Sequence, residues 1–206
     1  MNRRVLSIVV CAIALWLPCA AQNTWEPLPL KGRHAITLGG GMKMNSQTVV
    51  SVSPAGIDLK SGFVGSLTYG YWYDSDWQVN LSVGVFGAGT RDSFRGVSTG
   101  AIAHIHVGMS YYPSQLALGA VGRPYISVAG GAYTGSATQV GFIGAGTVQE
   151  TVPGGRASIG IDFFPTSWMK MGPALSYHFL GDFAKIVGDR RNFTGAEFSL
   201  GFGVVL

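Results

Sequence analysis

Residues 61 to 86 read SGFVGSLTYGYWYDSDWQVNLSVGVF. From residue 77 on, Trp77, Val79, Leu81, Val83 and Val85 share one face of an extended chain, and Gln78, Asn80, Ser82, Gly84 and Phe86 share the other. The preceding half repeats the scheme: Phe63, Leu67, Tyr69, Tyr71 and Tyr73 oppose Val64, Ser66, Thr68, Gly70 and Trp72. Asp74, Ser75 and Asp76 between the halves are turn formers. The period is two, so the stretch predicts a β-hairpin with one large apolar face and one face of small and polar residues.

The same pattern recurs along the chain. GRASIGIDFF (155 to 164) and WMKMGPALSYHF (168 to 179) form a second hairpin about residues 165 to 167, with Ala157, Ile159, Ile161 and Phe163 on its apolar face. Weaker strands are predicted at 33–43, 97–112 and 123–134, and GAEFSLGFGVVL (195 to 206) closes the count at eight. In that last strand Phe198, Leu200, Phe202, Val204 and Leu206 lie on one face. No heptad and no sustained 3.6-residue stripe is found.

The connections sort into two kinds. Those at 74–76 and 165–167 are very short and that at 113–122 is moderate, whereas 44–60, 87–96, 135–153 and 180–192 are longer and rich in Gly, Ser, Asp and Arg. An up-and-down meander places the short connections at one end and the long ones at the other. That asymmetry, with an even strand number and a large apolar outer face, predicts an all-β fold: an eight-stranded antiparallel up-and-down transmembrane β-barrel spanning residues 33–206. The short turns and both termini then face the periplasm. A soluble sandwich or a lipocalin-like barrel is the alternative, but either needs a charged outward face, and charged residues are only 12% of the chain.

The start, MNRRVLSIVVCAIALWLPCAAQ, is not fold sequence. Arg3 and Arg4, the apolar run 5–17 and the small residues before Gln22 predict a signal peptide over 1–21, followed by a short periplasmic leader over 22–32. The run is too short for a ~30 Å hydrocarbon core, so it is not read as a spanning helix. Both cysteines, Cys11 and Cys19, leave with the signal, which excludes disulfide, thiol and thiolate-metal chemistry. Without Arg3 and Arg4, 12 basic residues face 10 acidic ones, and a net charge of +2 gives no support to a nucleic-acid partner.

Aromatic residues gather at the short turns. Tyr69, Tyr71, Tyr73, Trp77, Tyr111, Phe163 and Trp168 are expected to form a girdle at one lipid–water interface. Trp72 and Phe164 have inward parity and are expected in the lumen. A sparser outer girdle is expected from Phe94, Tyr133, Phe179, Phe183 and Phe193.

The signal, the alternating strands, the loop asymmetry and the apolar final strand resemble the small outer-membrane β-barrel superfamily, the group of OmpA-type transmembrane domains, OmpX and OmpW. The resemblance covers essentially the whole mature chain and is one of pattern, so it brings no catalytic residue with it. It implies multi-pass residence in the outer membrane of a Gram-negative-type bacterium, with outer-membrane lipid or lipopolysaccharide around the wall. It also implies that the barrel-assembly machinery reads the C-terminal strand, Phe198 to Leu206. That family usually ends in an aromatic, and here Leu206 stands in its place.

The remaining chemistry is on the inward face. Symmetric pairing about 165–167 sets residue 162 opposite 170, predicting an Asp162–Lys170 ion pair, and Arg156, Glu197 and His178 share the inward parity. A polar network of these five residues is expected to fill the lumen, since eight strands leave room for little but side chains. No metal site is expected: His104, His106 and His178 share parity, but no thiolate helps and their strands are not sheet neighbours. No cofactor is expected either, because the Gly-rich LGGGMK and GAGT stretches precede no helix. A Ser176–His178 pair oriented by Glu197 would suit a lipid hydrolase, but its parity turns it away from lipid. The expected role is therefore a non-enzymatic, monomeric barrel that is structural or makes surface contacts through its long loops. A narrow channel or a passage for small hydrophobic molecules, lined by Phe86 and Ile102, is the runner-up.

Overall fold

The computed structural model describes residues 28–44, 51–53, 56–58, 61–93, 96–141, 144–188 and 190–206. The expected signal peptide and most of the leader lie outside them, as does Phe94. Eight strands close into a barrel: β1 (His34–Met44), β4 (Ser61–Trp72), β5 (Trp77–Ser93), β6 (Gly96–Tyr111), β7 (Gly122–Gly141), β8 (Gly144–Thr166), β9 (Met169–Leu180) and β10 (Gly195–Val205). A separate two-stranded hairpin, β2 (Ser51–Ser53) and β3 (Gly56–Asp58), stands in the first long connection. Each barrel strand pairs antiparallel with its sequence neighbour, and β1 pairs with β10. Leu38 faces Phe202 in that last ladder, and His34 and Leu206 exchange backbone hydrogen bonds of 3.1 and 2.8 Å. Closure leaves no open edge, the condition for a sheet in hydrocarbon.

The period-two pattern puts apolar side chains on the outer wall. Leu38, Phe63, Val107 and Val128 are 61 to 81% exposed, values that a water-soluble surface would not carry in so many neighbouring positions. The belt ends abruptly. On β7 the outward residues pass from Ile126 and Val128 to Thr134, Ser136 and Thr138, and on β8 from Ile159 to Thr151, Gln149 and Thr147. The Thr134 and Thr151 hydroxyls share a 2.9 Å hydrogen bond across the two strands. This change marks where the wall leaves the lipid.

Segments 87–96 and 135–153 were expected as loops, and the structure corrects this. β5 and β6 run paired to Ser93 and Gly96, and β7 and β8 to Gly141 and Gly144, so β5 to β8 continue well above the belt. Outside the lipid the outward residues become Thr, Ser and Gln. The apolar alternation fades from the sequence while the backbone ladder continues unchanged.

The lumen is layered. At the short-turn end Leu30, Ala35, Trp72, Tyr112, Phe164 and Val205 form a buried apolar cluster. At the long-strand end a second cluster contains Phe86, Ile102, Tyr133, Phe183, Val187 and Phe193. A polar layer separates the two.

Candidate functional site: the barrel lumen

The polar layer arises from the small, hydrophilic residues on the inward face of every strand. It encloses a cavity of about 100 Å³, lined in part by Thr37, Ser66, Gln78, Asn80, Arg156 and Glu197. That volume accommodates roughly three water molecules.

Towards the short-turn end, Lys170 Nζ donates to Asp162 Oδ2 at 2.8 Å, and the Tyr112 hydroxyl donates to the same oxygen at 2.8 Å. Both charged side chains are buried. The ammonium also lies 5.6 Å from the centre of a Trp72 ring. The register differs from the symmetric pairing expected. Gly160 faces Ala174 and Phe163 faces Met171, which sets Asp162 beside Gly172, and Lys170 reaches it diagonally. The cause is the position of the turn: Thr166 pairs with Met169, so the tip lies at residues 167 and 168 instead of 165 to 167, and one extra residue of β8 between Phe163 and Thr166 moves the register back by only one. An extra residue in one strand slides all pairing beyond it. At Gly172 a Cβ would strike the Ile161 carbonyl, so this position admits no side chain.

Towards the other end, His178 is held from both sides. Its Nε2 donates to Glu197 Oε2 at 2.8 Å, and its Nδ1 shares a 2.8 Å hydrogen bond with the Tyr133 hydroxyl. Lys43 faces Glu197 directly in the β1–β10 ladder, is wholly buried, and donates weakly to the Gly195 carbonyl at 3.5 Å. Its ammonium lies 4.8 Å from the Phe86 ring centre. Sequence reasoning passed over Lys43, although the alternation Thr37, Gly39, Gly41, Lys43 places it inward.

The expected five-residue network is thus two clusters, Lys170–Asp162–Tyr112 and Lys43–Glu197–His178–Tyr133. Arg156 stands between them, opposite His178 in register, and donates no hydrogen bond to either carboxylate. Its Nε has no hydrogen-bond partner among the described residues.

All three inward histidines meet, although β6 and β9 are not neighbours in the sheet. A barrel brings opposite walls together. The rings of His104 and His106 stack at 4.7 Å, and that of His178 lies 5.8 and 6.2 Å from them. Gly84 and Gly131 make room, since a Cβ at either would stand within 3 Å of an imidazole atom. No group of three side chains with metal-ligating spacing is present among the described residues. Ser176 shares its hydroxyl hydrogen bond with Ser158 at 2.8 Å, and among the described residues no serine bonds to His178.

The outer end of the lumen is closed by the segment 181–194, described except at residue 189. It folds back from β9 and buries Phe183, Val187 and Phe193 almost completely. These side chains pack on Phe86, Ile102 and Tyr133. The outer girdle expected from Tyr133, Phe183 and Phe193 is therefore not formed. All three point into the lumen, and of that set Phe179 is the one seen outside. Gly135 leaves space for Val187 and Phe183, and Gly188, with φ +61°, crosses close over the Ala88 carbonyl. Glu150, on β8 above the belt, fastens the strap. Its carboxylate accepts the backbone N–H of Ala184 at 2.8 Å and of Lys185 at 2.9 Å. Those two donors hold its pKa below the ordinary carboxylate value.

On the outer wall, Tyr69, Tyr71, Tyr73, Trp77 and Trp168 are exposed at the short-turn end, and Tyr111 and Phe163 are half-buried there. Trp77 and Tyr111 pack with ring centres 4.7 Å apart. On β10, Phe198, Leu200, Phe202, Val204 and Leu206 all face outward.

No family model matches the sequence, and no curated protein matches it. Solved structures do. Ail, the attachment invasion locus protein of Yersinia pestis, in complex with the heparin analogue sucrose octasulfate, aligns over 85% of this chain and 99% of its own at 16% identity and a TM-score of 0.56. Neisserial surface protein A aligns over 84% and 97% at 15% identity and a TM-score of 0.56. The outer-membrane protein OprG of Pseudomonas aeruginosa aligns over 85% and 96% at 12% identity and a TM-score of 0.55. The chain has the fold of the small outer-membrane β-barrels, and its apolar belt fits a multi-pass place in that membrane.

Proposed function

We propose that this barrel acts without catalysis, as a structural or surface-interaction protein of the outer membrane, through the part that stands above the lipid. The observation that carries this reading is the lumen: apolar layers close it at both ends, so its interior serves as filling. The wall is committed to lipid, which leaves the tall β5–β8 rim and the segments beside it as the surface open to partners. His178 is buried in the lumen, bonded to Glu197 and Tyr133 and turned away from lipid, which supports the non-enzymatic reading over the lipid hydrolase. Outer-membrane lipid or lipopolysaccharide surrounds the belt, the barrel-assembly machinery engages β10, and the barrel works as a monomer.

The runner-up is a narrow channel or a passage for small hydrophobic molecules. Phe86 and Ile102 do line the outer half of the lumen, but the protein's own Phe183, Val187 and Phe193 fill that space. Planar-bilayer recording of the purified full chain separates the readings. Silence is expected, and discrete channel openings would reverse the ranking.

A further inference from the structure

The sheet is a closed barrel only within the lipid. β4 pairs with β5 as far as Val64 and Phe86, and β9 pairs with β8 as far as Leu180 and Gly154. Above those pairs β5 to β8 run on as an open sheet, with one edge at β5 and one at β8.

The two edges are built differently. On the β5 side the ladder with β6 breaks between Gly87 and Thr90, Gly89 takes φ +80°, and the sequence beyond it carries Arg91 and Asp92. A bulge and charged residues are common means of blunting an edge. On the β8 side the ladder with β7 runs without a shift from Gly122–Phe163 to Gly141–Gly144. Residues 144–153, GAGTVQETVP, hold one charged residue, Glu150. Its parity is inward, and its carboxylate holds the strap.

The register decides which groups this edge presents. In an antiparallel strand the N–H and C=O of one residue point to the same side, and successive residues alternate. The Pro153 carbonyl accepts the Gly181 N–H at 3.1 Å, so Pro153 points towards the β9 side. Proline has no N–H to offer there, which suits an edge. Counting by two, Thr151, Gln149, Thr147 and Ala145 point the same way. The Thr134–Thr151 hydroxyl contact agrees, because side chains come closest where a cross-strand pair exchanges no backbone bonds. Thr147, Gln149 and Thr151 are exposed, and among the described residues no strand pairs with this side of β8 above Gly154. A row of backbone donors and acceptors at ladder spacing is matched by another extended backbone.

We propose that the upper edge of β8, Ala145 to Thr151, is a docking site for an extended segment of a partner protein outside the cell, which adds to the sheet as a further strand. A second copy of this chain is the poorer occupant. It would have to offer its β5 edge, which is blunted, or its own β8 edge, which in the same membrane would meet the first as a parallel strand, the less stable pairing. Main-chain bonds hold the partner, and the outward Thr147, Gln149 and Thr151 select uncharged side chains beside them. The inference rests on the surface-interaction role proposed above and names its mode of contact.

The test uses the full chain in lipid nanodiscs. Linear peptides displayed on phage are panned against it, and the selected peptides are synthesised as probes. Sequences with alternating β-branched residues are expected. On binding, the Ala145, Thr147, Gln149 and Thr151 amides gain about tenfold or more hydrogen-exchange protection, while Val148 and Glu150, whose amides point to β7, keep theirs. Gln149→Pro removes a donor that the β7 ladder does not use, so it folds and weakens binding about tenfold or more. Gln149→Lys blunts the edge instead and decides the matter if the proline variant does not fold. Thr138→Lys, also exposed but on β7, is the control and leaves binding unchanged. Failure to select any peptide, or binding without protection at those four amides, would overturn the proposal. Binding that survives both Gln149 variants would also overturn it, but would leave the surface-interaction role standing. Protection that appears without peptide in discs holding two chains, and is lost in Gln149→Lys, would put a second copy in the partner's place and overturn the proposal as stated. Channel openings in planar bilayers bear on the role proposed above and not on these amides.

Discussion

The two ends of the lumen are closed by apolar clusters of similar composition but different construction. At the short-turn end Ala35, Trp72, Tyr112, Phe164 and Val205 belong to barrel strands or adjoin them directly, and only Leu30 comes from the leader. Leu30 is itself tied down, since Arg33 N bonds to its carbonyl at 3.0 Å and Gly32 N to the Trp72 carbonyl at 2.7 Å. At the other end Phe183, Val187 and Phe193 arrive on a segment outside the barrel ladder, fastened by the Glu150 carboxylate and a few backbone bonds. The same burial thus makes a permanent floor at one end and a removable cover at the other. What differs is whether the buried side chains can leave without opening the wall.

The sharpest way to break that comparison is to empty each stopper. Trp72→Ala removes the largest fully buried side chain from a site whose neighbours cannot collapse into the space. We expect a loss of about 3–5 kcal/mol of barrel stability, read by urea unfolding of the protein in lipid. Phe193→Ala removes a comparable ring from the strap, which can settle into the gap. Its global cost is expected to be clearly smaller, with the damage seen as faster exchange of strap amides. Equal global costs would show that the strap is as integral as the floor.

The next effect is the pH dependence of the latch. Glu150 has a folded pKa below its unfolded value, because two N–H groups bond to the ionised form. The stabilisation is therefore present above the ordinary carboxylate pKa of 4.5 and is lost as the pH falls through the lower folded value. Strap protection should show this loss in acid, below the range in which imidazoles titrate, and Glu150→Gln should remove it. Persistence of the acid step in that variant would move the latch elsewhere.

The smallest effect concerns β10. Leu206 is 66% exposed on the lipid-facing wall, so Leu206→Phe should change equilibrium stability by less than about 0.5 kcal/mol. If the assembly machinery reads an aromatic terminus, the fraction of folded barrel in cells should rise, measured as the heat-modifiable band on unheated gels. No rise would mean that Phe202 and Phe198 suffice.

Much of the barrel was legible because its physics is local. The lipid face demands an apolar side chain at every second position, and each strand displays this without reference to the others. Trp72 and Phe164 could be placed in the lumen by parity alone. Other features escaped for definite reasons. The upper parts of β7 and β8 read as loops because Thr, Ser and Gln replace the apolar face once the chain leaves lipid. Asp162 and Lys170 were paired through the wrong register because the hairpin turns at 167 and 168, beyond the Pro165 expected to start the turn, and an irregular residue in β8 offsets only part of that shift. Phe183 and Phe193 were read as outer-girdle residues because parity has no meaning off the ladder.

By itself, then, the sequence determined the strand number, the lipid face, the short-turn end and the inward identity of Arg156, Asp162, Lys170, His178 and Glu197. Each follows from a repeat of two along a single chain. Only the tertiary structure decided which inward groups meet. Closing the sheet brings β6 against β9 across the lumen, so His104 and His106 reach His178, Lys43 comes to face Glu197, and a segment between two strands becomes the cover of the barrel. Those contacts depend on curvature and register summed over all eight strands, and no local stretch of sequence carries that sum.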